Sequence, residues 1–354
     1  MKYLFILGRD PELSVVETQS YLESRNYHFK IIDSDGIRLI ADIKNFDPEK
    51  AITELGGTQK IGEIIDSIEN LYTGASNKIR YAVSNYTDEE DQELLEDLKY
   101  YFKSIKVKAL LKKSSLLPYL NPSEAQNVLE IILYQNLMAR TVGVFDPKQH
   151  KFRDSKRPEQ RPLHTISIRL AKILINLAKA KPKDTLLDPF CGIGTIMQEA
   201  LLQNINAVGV EKDPQVAKQA KINLKWIQKQ YKCHTNFEVF AIDSRNLSRK
   251  VKSCDIAVSE PFMGPFLNSL PTEAEARKTI KLLRPLYQKV IEELKKVTKR
   301  RIVIIAPKFK TRDKKLIDLN LGYTLKQLNL QHQEPILYSA PKSKMLREIW
   351  IIDL

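Results

Sequence analysis

The residues best suited to chemistry lie in one short stretch, Leu186-Leu187-Asp188-Pro189-Phe190-Cys191-Gly192-Ile193-Gly194-Thr195. An apolar run ends in an acid, two glycines follow, and the residues from Thr195 onward read as a helix. Glycine lets a chain turn tightly and lets a ligand come close to the backbone. The unpaired N–H groups that open a helix favour a carboxylate. Asp188 is then placed to hold a cation and the turn an anion, which are the two charged ends of an amino acid. Glu211 ends the next apolar run, 19 residues after Gly192, where an acid can accept both hydroxyls of a ribose. Asp243 ends a third run, Phe240-Ala241-Ile242-Asp243-Ser244, and is placed to accept an adenine amino group. An amino acid, a ribose and an adenine together make S-adenosyl-L-methionine. Phe190, Cys191, Gly192, Gly194, Thr195, Lys212, Ser244 and, further along, Ser259 belong to the same set of expected cofactor contacts. A nicotinamide dinucleotide is the rival ligand, but its motif requires a third glycine where this chain has Met197.

A second stretch closes a fourth apolar run: Val258-Ser259-Glu260-Pro261-Phe262-Met263-Gly264-Pro265. Its meaning depends on a resemblance carried by the first. The form Asp-Pro-Phe-Cys-Gly-Ile-Gly-Thr resembles motif I of methyltransferases that modify exocyclic amines of bases. Together with Glu211 and Asp243, it makes the chain similar to the THUMP-containing RNA methyltransferases, and among them to the tRNA guanine-N2 methyltransferases that act at position 10. Two other segments carry the same resemblance. Arg153-Asp154-Ser155-Lys156-Arg157-Pro158, followed by Leu170-Ala171-Lys172-Ile173-Leu174-Ile175-Asn176-Leu177-Ala178, is similar to that family's segment before motif I. Phe5-Ile6-Leu7-Gly8-Arg9-Asp10-Pro11-Glu12-Leu13-Ser14 is similar to its N-terminal domain. The resemblance is strong over residues 153–260 and weak over residues 69–147.

The resemblance implies a ferredoxin-like domain, a THUMP domain that holds the acceptor end of a tRNA, and then a catalytic domain. RNA would be gripped at its backbone and shape while the target base is flipped into a pocket. The methyl would move in one in-line step, with positioning carrying most of the catalysis. His164 and Thr165 would lie over the methionine end of the cofactor, although a histidine in a surface loop fits the sequence as well. A tRNA is the implied partner, and the sequence leaves open a second one, a small activating subunit.

Residues 259–262 depart from the family's pattern, which is Asp/Asn-Pro-Pro-Tyr/Phe. An exocyclic amine is a weak nucleophile because its lone pair is delocalised into the ring. A side-chain carbonyl and a main-chain carbonyl accept its N–H groups and help to localise that pair, while the aromatic residue stacks on the base. Pro261 and Phe262 match the pattern, whereas Ser259 and Glu260 do not. Three readings stand. Glu260 takes over the acceptor role and receives the proton. Alternatively, Ser259 and a main-chain carbonyl suffice, with Glu260 reading a base edge. In the third, the site has ceased to methylate amines and the chain binds RNA or cofactor without turnover. A DNA amino-methyltransferase shares the chemistry and is the other competitor.

These residues need a scaffold. From residue 166 onward, short apolar runs alternate with amphipathic helical stretches, which argues for a parallel, doubly wound sheet. The chain end, residues 323–338 and 347–352, reads as two long antiparallel strands. Residues 1–68 follow a β-α-β-β-α-β order, a ferredoxin-like pattern, with Asp10 and Pro11 opening the first helix. Residues 69–147 read as a second α/β unit, with a helix over 89–101. The expected fold is thus a class I, Rossmann-like α/β methyltransferase sheet over residues 164–354, preceded by ferredoxin-like and THUMP-like domains. Residues 148–163 are polar, basic and carry two prolines, so they read as a linker, either simply solvated or touching a phosphate backbone.

Composition sets the remaining bounds. The 57 basic and 43 acidic residues leave a net charge of +14, which suits a polyanionic partner. Lys112, Lys113, Arg140, Arg153 and Arg157 are the candidate RNA contacts; for the first three a solvated cation is the default reading. Three cysteines, Cys191, Cys233 and Cys254, fit no zinc spacing, and the five histidines are scattered. No metal is expected, and the thiols suit a reducing cytoplasm. No apolar run reaches the length of about 18 residues that a membrane span needs, and the N-terminal apolar stretch is too short for a signal peptide.

Overall fold

The computed structural model describes residues 1–87, 92–114, 116–161, 165–339 and 343–354. The chain divides into two compact units, one of residues 1–18 and 26–152, the other of residues 19–25 and 153–354.

The first unit opens with β1 (Lys2–Leu7), α1 (Pro11–Ser24), β2 (Phe29–Ser34), β3 (Arg38–Ile43), α2 (Pro48–Glu54) and β4 (Thr58–Ile65). The strands pair antiparallel in the order β2-β3-β1-β4. Asp47 starts α2 by accepting the Lys50 N–H ahead of Pro48, the usual physics of a helix start. There follow β5 (Lys78–Asn85), α3 (Gln92–Ser104), β6 (Lys108–Leu111), α4 (Pro122–Ala125), β7 (Leu129–Tyr134) and β8 (Leu137–Val144). The first residues of the helix expected over 89–101 lie outside the described residues. Strand β5 is parallel to β6 and β7, and β8 turns back against β7. β8 also pairs with β4, so all eight strands form one sheet, β2-β3-β1-β4-β8-β7-β5-β6.

Within the stretch read as a linker, residues 148–163, the part up to residue 156 belongs to a helix, α5 (Pro147–Lys156). Asp146 accepts the N–H groups of Lys148 and Gln149, at 2.8 and 3.3 Å, ahead of Pro147 in the first turn. A strong start signal therefore sits at the edge of the polar stretch.

The second unit contains α6 (Ile168–Leu177), β9 (Thr185–Asp188), α7 (Thr195–Leu202), β10 (Asn206–Glu211), α8 (Pro214–Tyr231), β11 (Phe237–Ala241), β12 (Cys254–Ser259), α9 (Glu273–Val297), β13 (Thr298–Lys310), β14 (Leu316–Asp318), α10 (Leu321–Gln327), β15 (Gln331–His332), β16 (Ile336–Tyr338) and β17 (Met345–Asp353). The sheet runs β11-β10-β9-β12-β13-β17-β15, with β14 on β13 and β16 on β17. Strands β9 to β13 are parallel and β17 is antiparallel to β13. This is the class I methyltransferase arrangement the sequence leads one to expect. The chain end differs in detail. Residues 323–338 are not one strand, because Leu321 and Leu325 are both buried at helical spacing in α10; only β15 and β16 beyond it are extended.

The chain leaves β9 toward β10 on one side, and β12 pairs on the other. Such a reversal opens a crevice at the carboxyl ends of the strands, where ligands of open α/β sheets bind. Leu186, Leu187, Ile256, Ala257 and Val258 are fully buried, and they hold the strand ends that carry the candidate site.

Candidate cofactor and acceptor site

Asp188 ends β9 and is fully buried. Its Oδ1 accepts the Ser259 hydroxyl at 2.8 Å and the Phe190 N–H at 3.1 Å. Burial pushes its pKa up to about 7. The two donors pull the other way, and the charges of Glu211 and Glu260 add to the rise. A carboxyl group so placed is divided between its two forms near neutral pH, and a cation beside it would favour the charged one.

The turn after it is built by Gly192 and Gly194, at φ +51° and +88°, a left-handed conformation that suits glycine. The Cys191 N–H donates to Val210 at 3.0 Å and the Gly194 N–H to Cys191 at 2.7 Å, fixing the turn against β10. A side chain at Gly192 would meet nothing within 4 Å, so the backbone there faces open space. Cys191 is buried, and desolvation holds its thiol well above its ordinary pKa. It is a neutral packing group.

A partly open cleft is lined among others by Thr165, Asp188, Phe190, Gly192, Thr195 and Glu260. It thus brings together residues expected at the methionine end of a cofactor and one expected at the acceptor. His164 lies outside the described residues. Thr165 faces the cleft with its hydroxyl donating to the Arg161 carbonyl at 2.5 Å. Glu211 and Asp243 are not among the residues that line this cleft; they lie at and just past the ends of the neighbouring strands, since Gly209 is level with Asp188 and Ala241 with Glu211. The Glu211 carboxylate accepts the Asp213 N–H at 3.0 Å. Asp243 is held by Arg245 through both carboxylate oxygens, at 3.0 and 2.7 Å, which lowers its pKa. An adenine amino group would share Asp243 with that guanidinium. Lys212 is exposed. The buried Ser244 hydroxyl donates to the Pro189 carbonyl, so this side chain braces the turn rather than facing a ligand.

Ser259 and Glu260 take different directions. The Ser259 hydroxyl points inward to Asp188, and Glu260 reaches the cleft. Glu260 Oε1 accepts from Arg347 Nε of β17 at 2.6 Å, with both side chains mostly shielded from solvent. Arg347 lies 87 residues further along the chain, and the sequence reading missed it. Pro261 is buried, whereas Phe262 is 56% and Phe266 70% exposed. An exposed aromatic so near a polar cleft has no packing role to explain it. Phe266 was also missed, although its place four residues after Phe262 is visible in the sequence.

The expected RNA contacts fare differently. Arg153 and Arg157 are buried and cannot reach a phosphate backbone. Arg153 makes a two-pronged ion pair with the buried Glu199 of α7, at 2.9 and 3.1 Å. Arg157 donates to Thr195 Oγ1 at 3.1 Å and to Asp154 at 3.0 Å. Arg140 is paired across the β4–β8 register with Glu63 at 2.7 Å, and the Lys112 ammonium donates to the Glu124 carbonyl. Lys113 is exposed. Charge runs read as solvated faces in a sequence, but here the fold turns two of these cations inward and pairs two more.

Among the described residues, no group of three or more His, Cys, Asp or Glu could hold a metal ion, and no helix is long and apolar enough to cross a membrane.

Comparison with known proteins agrees with this geometry. Residues 155–321 match the family model described as RMKL-like, methyltransferase domain. Residues 76–222 match a model described as DNA methylase. The tRNA (guanine(10)-N2)-dimethyltransferase of Methanothermobacter thermautotrophicus is 26% identical over 303 residues, covering 80% of this chain and 83% of that protein. The enzyme of the same name from Pyrococcus abyssi is 23% identical over 237 residues, covering 64% and 68%. Among solved structures, TrmN from Thermus thermophilus superposes with a TM-score of 0.51 at 13% identity, covering 100% of this chain and 99% of that one. That likeness concerns the fold.

Proposed function

We propose that this chain transfers a methyl group from S-adenosyl-L-methionine to the exocyclic N2 amine of a guanosine in tRNA, at position 10, in the cytoplasm. The observation that carries the reading is the meeting of two strand ends. The Ser259 hydroxyl on Asp188, at 2.8 Å, ties the acceptor segment of β12 to the cofactor acid of β9, and Glu260 opens onto the same cleft. Similarity to relatives named as tRNA (guanine(10)-N2)-dimethyltransferases supports the substrate. In this reading residues 1–68 and 69–147 are the ferredoxin-like and THUMP-like parts that take the RNA, and residues 164–354 are the catalytic domain.

The donor set suits the cofactor. Asp188 would hold its ammonium, the N–H groups that open α7 its carboxylate, Glu211 the ribose hydroxyls and Asp243 the adenine amine. When bound, S-adenosylmethionine supplies an electrophilic methyl on a sulfonium. The chain's own contribution is to aim the amine. Glu260, steadied by Arg347, accepts an N–H of the amine and so localises its lone pair. The carboxylate of Glu260 would also receive the proton that the amine must lose on methylation. Phe262 stacks on the flipped base. Ser259 is not the acceptor in this reading, because its hydroxyl is committed to Asp188. The DNA methylase match stops at residue 222, short of Ser259 to Phe262, and so lends the acceptor site no support for a DNA substrate.

The test is mass spectrometry of nucleosides from unmodified tRNA incubated with the protein and isotopically labelled cofactor. Label in N2-methylated guanosine is expected. Label in another nucleoside, or preferential methylation of duplex DNA in competition, would overturn the substrate, and cofactor binding without label would overturn the activity.

A further inference from the structure

Two buried arginines follow one another in the segment before motif I, and only one is explained by packing. Arg153 meets Glu199, itself buried, with two parallel hydrogen bonds, so its charge is matched where it lies. Arg157 is equally buried, but its acid partner among the described residues, Asp154, is 65% exposed while the Arg157 side chain is 3% exposed. Its Nε, also buried, makes no hydrogen bond among the described residues. A guanidinium stays charged in the interior, and an interior charge left half-matched is costly. Its remaining contact points to the reason. Nη1 donates to Oγ1 of Thr195, the first residue of α7 and part of the cleft wall. Having accepted that bond, the Thr195 hydroxyl has its own proton to give, and no described residue takes it.

Building on the cofactor reading above, we propose that Arg157 and Thr195 form the anion half of the cofactor site. In this arrangement the Thr195 hydroxyl donates to the methionine carboxylate and the Arg157 charge stabilises it from behind. Asp188 and this pair then stand at opposite ends of the amino-acid moiety, each with charge opposite to the group it meets. Arg157 is a positioning and electrostatic residue of the cofactor, not an RNA contact. It also explains why the cleft can hold Asp188 and Glu260 and still accept a carboxylate.

The experiment is a double cycle between protein and ligand, read by calorimetry. S-adenosylhomocysteine and its carboxamide, in which the carboxylate is an uncharged amide, are titrated into wild-type protein and Arg157→Gln. Wild type is expected to lose about 10- to 100-fold in affinity on going to the carboxamide. Arg157→Gln should bind both ligands with similar, weakened affinity, while 5′-methylthioadenosine, which lacks the amino-acid end, binds both proteins alike. Equal loss for all three ligands would mean a purely structural role, and the same carboxamide penalty in both proteins would mean no coupling; either result overturns the proposal. Thr195→Val provides the same cycle if Arg157→Gln does not fold. Wild-type protein that binds neither S-adenosylhomocysteine nor S-adenosylmethionine would instead remove the cofactor reading itself.

Discussion

Asp188, if it holds the cofactor ammonium as proposed above, makes cofactor binding dependent on pH near neutrality. In the empty protein its pKa is raised from 3.8 to about 7 by burial, which corresponds to about 4 kcal/mol against the charged form. A cofactor ammonium beside it needs that charge, so binding must draw the group into its ionised state and release the proton it carried. At pH 8 about nine-tenths of the empty protein is already ionised and at pH 6 about one-tenth, so affinity should fall about eight- to tenfold between them. Titration of S-adenosylhomocysteine at several pH values gives the slope, and repeating it in buffers of different ionisation enthalpy counts the protons released. Asp188→Asn should bind weakly and without this slope, which separates Asp188 from the ligand's own amine. The stability of the empty protein carries the opposite sign. A raised carboxyl pKa means the folded state holds more protons than the unfolded one between about pH 4 and 7, so this group's contribution falls as pH rises through that window. The ligand-induced rise in Tm should accordingly be larger at pH 8 than at pH 6. An affinity flat from pH 6 to 8 with no proton release would refute the placement of the ammonium at Asp188.

Other outcomes test the remaining residues. Glu260→Gln keeps an acceptor carbonyl but cannot receive a proton, so turnover on tRNA should drop by about 10²- to 10⁴-fold with no loss of cofactor affinity; full turnover in single-turnover assays would remove Glu260 from the reaction. Phe262→Ala should lower kcat/KM for tRNA by about 5- to 150-fold through lost stacking and leave cofactor binding intact, and a normal value would make its exposure incidental. Arg153→Met should cost about 3–5 kcal/mol in urea unfolding, since it strands the buried Glu199 carboxylate, while the tRNA affinity of the folded protein stays the same in filter binding. A selective loss of tRNA affinity instead would restore Arg153 as an RNA contact.

What the sequence made legible was what local chemistry encodes. The acid at the end of an apolar run, the glycine turn and the opening of a helix identify the β9–α7 segment without any knowledge of its neighbours, and the alternation of runs fixes the class of sheet. Distant pairing was not legible. Arg347 reaches Glu260 because β17 inserts antiparallel beside β13, and nothing near either residue announces that register. Arg140 looks like a free cation until β8 is laid against β4 opposite Glu63. The residues before motif I were misread for a related reason: a run rich in Lys and Arg has nothing apolar to bury, yet guanidinium groups can be buried when carboxylates or hydroxyls wait for them, as Glu199 and Thr195 do. The long helix α9 illustrates the opposite case, since Thr272 and Glu275 write its start into the sequence as a capping box.

The departure at Ser259-Glu260 is coherent when its charges are followed through the fold. An acid at the end of β12 would add a third carboxylate beside Asp188, where Glu211 and Glu260 already raise its pKa. A serine there does the reverse, because its hydroxyl donates to Asp188 and favours the ionised form the cofactor needs. The carboxylate appears one residue later instead, beyond the end of the strand, where the chain is free of the alternation that sends successive strand side chains to opposite faces. At that position Arg347 meets it from β17, so the acid is oriented and its charge is matched before any substrate arrives. Under the proposed function this is a division of labour in which Ser259 would serve the cofactor and Glu260 the base. On this view the two substitutions belong together. Restoring an acid at 259 while Glu260 remains should weaken cofactor binding, because the buried end of β9 would then gather carboxylates faster than Arg157 and Arg347 can offset them.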